Sequence, residues 1–88
     1  MKRGKLEIIK DLLKTIQENN NSIKATPLLR KSNLSTSRFK EYFSELEKKG
    51  FVKEINHNGE KFLSLNEKGF KFLEKYRTII DFIDEFEL

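Results

Sequence analysis

The sequence has no cysteine and a single histidine, His57. The first absence excludes disulfides, thiolate metal sites and cysteine nucleophiles. The second leaves no histidine cluster to hold a metal. No apolar run exceeds three residues, which argues against a transmembrane helix or a signal peptide. There is no glycine-rich phosphate loop, and no catalytic constellation can be assembled from the residues that remain. Repeats, linkers and low-complexity tracts are absent as well. The expectation is a cytoplasmic, non-enzymatic chain without cofactor, metal, evident small-molecule ligand or membrane attachment. Its 88 residues make one domain, or one domain with an appendage. A chain this short buries only roughly 60% of the surface its unfolded form exposes, so it is marginal unless a partner adds to its core.

What is present is charge, unevenly spread. Residues 1–50 carry 12 Lys/Arg against 6 Asp/Glu, whereas residues 51–88 carry 6 against 8. After Thr78 there is no base and there are four acids, Asp81, Asp84, Glu85 and Glu87. Residues 1–78 thus stand at +8 and the tip at −4. Beyond ordinary surface charge, this asymmetry points to an anionic partner for the body and a different task for the end.

Apolar spacing divides the chain into elements. Leu6, Ile9, Leu12, Leu13 and Ile16 predict an amphipathic helix from about Lys5 to Glu18. The polar run Asn19–Ser22 ends it, and Ile23-Lys24-Ala25 is long enough for a stub of strand. Thr26-Pro27 reads as the cap and first turn of a short second helix that buries Leu28 and Leu29. Ser35 is the expected N-cap of a third helix, with Phe39, Tyr42, Phe43 and Leu46 on one face and Gly50 as its stop. Two strands follow, Phe51–Ile55 and Phe62–Leu65, joined through Asn58-Gly59, the strongest hairpin signal in the chain. Phe62 falls out of phase with Leu63 and Leu65 and is expected on the outer face of the hairpin. Asn66 is the expected cap of a last helix that runs toward the C-terminus.

The fold class is therefore mainly α with a β-hairpin. Three helices followed by a hairpin is the order of a winged helix-turn-helix with a long C-terminal helix. In that arrangement the third helix enters the major groove and its N-terminal residues meet base edges. With Phe39 facing inward, Ser37, Glu41, Ser44 and Lys48 point outward, flanked by Arg38 and Lys40. The expected base-reading set is Ser35, Thr36, Ser37, Arg38, Lys40, Glu41 and Ser44. Glu41 is the odd member, because it repels phosphate unless it accepts from a cytosine amino group. The third helix is nearly neutral, so the expected phosphate contacts lie elsewhere, on Lys2, Arg3, Lys5, Lys24, Arg30 and Lys31. On the wing, His57, Asn58 and Lys61 are expected near the backbone or the minor groove. The competing readings are a solvated helix face and a solvated turn.

The stretch from Lys2 to about Tyr76 resembles the archaeal winged-helix transcriptional regulators. The resemblance is carried by Lys5-Leu6-Glu7-Ile8-Ile9, Leu34-Ser35, Tyr42, Leu46, Lys49-Gly50-Phe51-Val52 and Leu65-Asn66-Glu67-Lys68-Gly69. The last of these is similar to the L-T-E-K-G that opens the final helix of many such proteins, with Asn66 in place of Thr. It implies a double-stranded DNA-binding module, usually dimeric. Some members are chromatin-associated, hence nucleoid-bound, and pair through a C-terminal antiparallel coiled coil.

Division at residue 65 is expected, with residues 1–65 as the DNA-binding domain and residues 66–88 as a dimerisation helix. Phe72, Tyr76, Ile79, Ile83 and Phe86 follow the a/d spacing of a coiled coil, with Phe70, Leu73 and Ile80 as a stripe beside them. A monomer would leave that aromatic end in water, unless the helix folds back over helix one. Against DNA binding stands a second expectation, a winged-helix adaptor that binds proteins within a larger complex.

Overall fold

The computed structural model describes residues 4–88. Its elements are α1 (Lys5–Glu18), α2 (Ala25–Ser32), α3 (Thr36–Lys48), β1 (Val52–His57), β2 (Glu60–Leu65) and α4 (Glu67–Glu85). Ile8, Ile9, Leu12, Leu13 and Ile16 of α1 form one wall of the core. Ile23, Leu28, Phe39, Leu46, Val52, Leu63 and Leu65 complete it. One expected member is displaced. Leu6 is 62% exposed, and Ile8, at 3%, is buried in its stead. The two lie about 80° to either side of the stripe's centre, and the neighbouring elements cover only the Ile8 edge.

Local chemistry explains most boundaries. The Ser35 hydroxyl caps α3 by accepting from the Arg38 N–H at 3.3 Å. At the other end Gly50 adopts φ +82°. The Phe51 N–H then donates to the Leu46 carbonyl at 2.9 Å and the Gly50 N–H to the Glu47 carbonyl at 3.1 Å. These two bonds make a Schellman motif, which only a residue tolerant of the left-handed region permits without strain. Thr26 does not cap α2. The helix begins two residues earlier than expected, at Ala25, with Lys24 at the cap position and no side-chain cap bond. Pro27 still falls in the first turn, where N–H groups have no helical partner. Asn33, at φ 59°, turns the chain from α2 toward α3.

The β-ribbon pairs Val52 with Leu65 through His57 with Glu60. Asn58 and Gly59 have φ of 52° and 79°, the sign a two-residue hairpin turn of primed type requires. A single bridge joins Ile23 to Leu63, with N–H···O distances of 3.1 and 2.7 Å, so the expected strand stub exists as one residue. The polar run before it holds the ribbon to the end of α1. Asn20 and Asn21 take positive φ. The Asn21 side-chain oxygen accepts the Leu65 N–H, and its carbonyl accepts the Ser64 hydroxyl, both at 2.7 Å.

Asn66 stands at the cap position of α4, but its carboxamide does other work. It donates to the carbonyls of Gly50 and Val52, each at 3.3 Å, and fastens the helix start to the entry of the ribbon. One turn on, Gly69 is buried against the Phe51 carbonyl. The first half of α4 shares the core of the preceding elements. Leu73 packs on it, and Phe72 meets Phe51 edge-on at 5.8 Å. From Arg77 onward every residue is exposed. A helix of 19 residues is about 28 Å long, and its uncovered half fits the elongated 49 × 27 × 21 Å outline.

Candidate nucleic-acid interface

The sequence places Ser35, Thr36, Ser37, Arg38, Lys40, Glu41 and Ser44 on α3, and all seven are exposed. They fall into two groups. Ser35, Thr36, Ser37 and Arg38 form the N-terminal end, with the Ser35 and Ser37 hydroxyl oxygens 3.4 Å apart. Lys40, Glu41 and Ser44 continue along the outward face toward Lys48. The Arg38 guanidinium lies 5.8 Å from the centre of the Tyr42 ring, a cation–π contact that restrains its direction. The apolar side is held by Phe39, which stacks on Phe43 at 5.9 Å and is itself buried. A rigid inner face thus presents a polar outer one.

The acids of this helix are unequal. Glu45 accepts from Lys5 and from Lys49, each at 2.9 Å. The bond from Lys49, then that from Lys5, holds its carboxyl below the usual range. Glu41 has no ion pair among the described residues. Lys5, expected as a phosphate contact, is therefore shared with Glu45 and stands beside the C-terminal half of α3. Arg30 and Lys31 lie exposed in the last turn of α2, where their charges also oppose the helix dipole. Lys2 and Arg3 lie outside the described residues.

On the wing, His57, Asn58 and Lys61 are exposed at and beside the turn. Lys61 is 3.9 Å from Glu54. Lys24 pairs with Glu60 at 3.0 Å and lies 5.7 Å from the Phe62 ring, tying the ribbon to the start of α2. Phe62 is half-buried beneath that lysine, so the expected outward placement holds only in part.

The five expected seam residues of α4 also separate. Phe72 and Tyr76 are half-buried within their own chain, stacked at 6.1 Å, with the Lys10 ammonium 5.8 Å from the Tyr76 ring. Ile79 and Phe86 are each 58% exposed, Ile83 is exposed too, and Phe82, outside the expected seam, is 54% exposed and packs on Phe86 at 4.8 Å. A groove of about 850 Å³ runs between α1 and α4 over Leu73 and Ile80, with Lys10, Lys14 and Arg77 among its bases and Asp81 and Asp84 among its acids.

Sequence reasoning missed three fixing devices, namely the Asn21 hook, the Asn66 clamp and the Gly69 contact. The contact had a signal in the chain, a glycine in the first turn of a helix, three residues after the cap residue Asn66. No described helix is long and apolar enough to cross a membrane, and no group of three metal-ligating side chains occurs among the described residues.

Among solved structures, the chain is similar to Sso10a-2, a DNA-binding protein from Sulfolobus solfataricus, at TM-score 0.76 and 20% identity over 97% of this chain and 86% of that one. It is similar to F-93 of SSV1 at TM-score 0.64 and 30% identity, over 89% and 91%. AF1382 from Archaeoglobus fulgidus matches at TM-score 0.70 and 20% identity, over 91% and 90%. No curated protein matches by sequence. The winged helix-turn-helix family model matches residues 2–84, nearly the whole of α1 through α4, and the chain belongs to that family.

Proposed function

We propose that this protein binds double-stranded DNA as a homodimer and acts as a transcriptional regulator or an architectural protein of the nucleoid. The observation that carries the reading is the exposed N-terminal end of α3, where hydroxyls and the ring-restrained Arg38 gather on a helix-turn-helix. The likeness in fold to Sso10a-2, a DNA-binding protein, supports it. In this reading the outward side chains of α3 meet base edges in the major groove. Arg30, Lys31 and the N-terminal bases neutralise phosphates, and the wing residues His57, Asn58 and Lys61 lie along the adjacent backbone.

The dimer part rests on the far half of α4. Ile79, Phe82, Ile83 and Phe86 form an apolar surface that a soluble monomer rarely leaves in water. Pairing two such ends supplies the core that a short chain lacks. Residues 66–88 then serve two purposes, with the first turns belonging to the DNA-binding unit and the tip setting the spacing of the two recognition helices.

A mobility-shift titration on duplex DNA at two salt concentrations tests the first claim. If about six cationic side chains engage phosphates, affinity falls by roughly a thousand-fold from about 50 to about 200 mM salt. Absence of any shift at low salt overturns DNA binding and favours the protein-adaptor reading. Sedimentation with and without residues 78–88 tests the second. The full chain is expected as a dimer and the shortened one as a monomer, and two monomers refute the dimer.

A further inference from the structure

The DNA-facing surface carries its acids in two different states. Glu45 is bound by Lys5 and Lys49, Glu60 by Lys24, and Glu54 faces Lys61. Each of these carboxylates has a cation of its own chain to accompany it toward a phosphate backbone. Among the described residues Glu41 and Glu47 of α3 do not, and Glu47 projects only about 80° from the buried Phe39, toward the flank of the helix. Glu41 lies at the middle of the outward face, one turn beyond Ser37 and one turn before Ser44, exposed and without an ion pair among the described residues. The cation nearest to it in the chain, Lys40, projects about 100° away around the helix. Arg38, one turn before, is held over the Tyr42 ring.

A bare carboxylate at this position has a definite consequence once the helix enters a major groove. It accepts hydrogen bonds and cannot donate. Groove edges that present acceptors, the guanine O6 and N7 and the thymine O4, leave it desolvated and unpaired. Two amino groups offer it a donor, adenine N6 and cytosine N4, but adenine sets its N7 acceptor beside the amino group, where it repels the second carboxylate oxygen, and cytosine has no acceptor there. Resting on the DNA-binding reading, we infer that Glu41 is the specificity-determining residue of this protein, admitting a cytosine opposite the centre of α3 and rejecting duplexes without one. Glu41 is one of the three acids that make α3 nearly neutral. The helix discriminates, and non-specific attraction is left to bases outside it.

The test is a binding-site selection from random duplexes with the full-length wild-type chain and with Glu41→Gln, followed by mobility-shift titrations of the selected sites. Glu41 is exposed and carries no packing, so the variant is expected to fold, and its melting temperature verifies that. Wild type is expected to enrich one cytosine in each half-site and to lose roughly ten-fold in affinity when that pair is replaced. Glu41→Gln is expected to lose that preference, to favour adenine there, and to bind unselected DNA more tightly than wild type. Selected sites with the same base preference for both proteins overturn the inference while leaving DNA binding intact. A wild-type chain that retains no duplex at low salt overturns the DNA reading itself, and the inference with it.

Discussion

Replacing Gly69 by alanine separates the observed packing from ordinary helix behaviour, because the two predict opposite signs. Gly69 is the third residue of α4, in a helix where alanine elsewhere would be favoured by about 1 kcal/mol. A Cβ built at this position meets the Phe51 carbonyl oxygen at 2.5 Å and Leu65 side-chain atoms at 3.3 and 3.4 Å. That oxygen is main chain and is not free to withdraw. It accepts the Asn66 N–H at 3.0 Å, and it sits between Gly50, at φ +82°, and the buried Val52. Relief requires α4 to lift from the entry of the ribbon by several tenths of an ångström, which strains the Asn66 bonds and the Phe51–Phe72 contact together. Overpacking of this kind costs about 1–3 kcal/mol. With main chain as the obstacle, the cost lies in the upper half of that range, about 2–3 kcal/mol, and after the propensity gain the expected net loss is about 1–2 kcal/mol, or roughly 4–16 °C in melting temperature for a domain of this size. Thermal unfolding followed by far-UV circular dichroism reads it, at one fixed protein concentration because dimerisation would make the midpoint concentration-dependent. A Gly69→Ala protein that melts at or above the wild-type temperature refutes the close approach.

Two further outcomes follow from the same geometry. Asn66→Asp is expected to lower the urea midpoint by the equivalent of about 1–3 kcal/mol, since a carboxylate facing the Gly50 and Val52 carbonyls loses two donors; a residue acting as a simple N-cap would tolerate Asp as well as Asn. Glu45 is held below its ordinary pKa by Lys49 and Lys5, so its contribution is present above the usual carboxylate range and is lost as pH falls through the lowered folded value. Wild type is therefore expected to lose more melting temperature on acidification than Glu45→Gln, with the difference shrinking in high salt, and parallel pH profiles would contradict the pairing.

What could be read in the sequence was what nearby residues decide. Asn58-Gly59 specifies its turn because both positions accept positive φ, and Ser35 and Gly50 bound α3 through bonds that span only a few residues. The outward face of α3 was legible for the same reason, since helical periodicity alone sets Ser37, Glu41 and Ser44 opposite Phe39. Long-range partners decided the rest. Nothing in the first helix says that Ile8 is covered and Leu6 is not, because the covering elements lie elsewhere in the chain. The second role of Asn66 depends on carbonyls 14 and 16 residues earlier. Lys5 reads as a free cation until Glu45, 40 residues away, is brought to 2.9 Å.

That last contact changes how the basic excess is to be weighed. A lysine paired with a carboxylate contributes a short-range dipole, and beyond about a Debye length its net charge is cancelled. On the wing, Lys24 and Lys61 stand against Glu60 and Glu54, so the ribbon adds little to the long-range field even though its tip bears exposed polar groups. Around Glu45 two lysines meet one acid, which leaves a single positive charge. Among the described residues Arg30 and Lys31, at the end of α2, make no ion pair, whereas along α3 the unpaired Lys40 and Lys48 are offset at long range by Glu41 and Glu47, which make none either. On the DNA-binding reading, steering toward phosphate therefore falls to bases outside α3, with Arg30 and Lys31 foremost. The carboxylate of Glu41 acts after that attraction, once α3 meets the groove floor, where a mismatch decides which duplex stays.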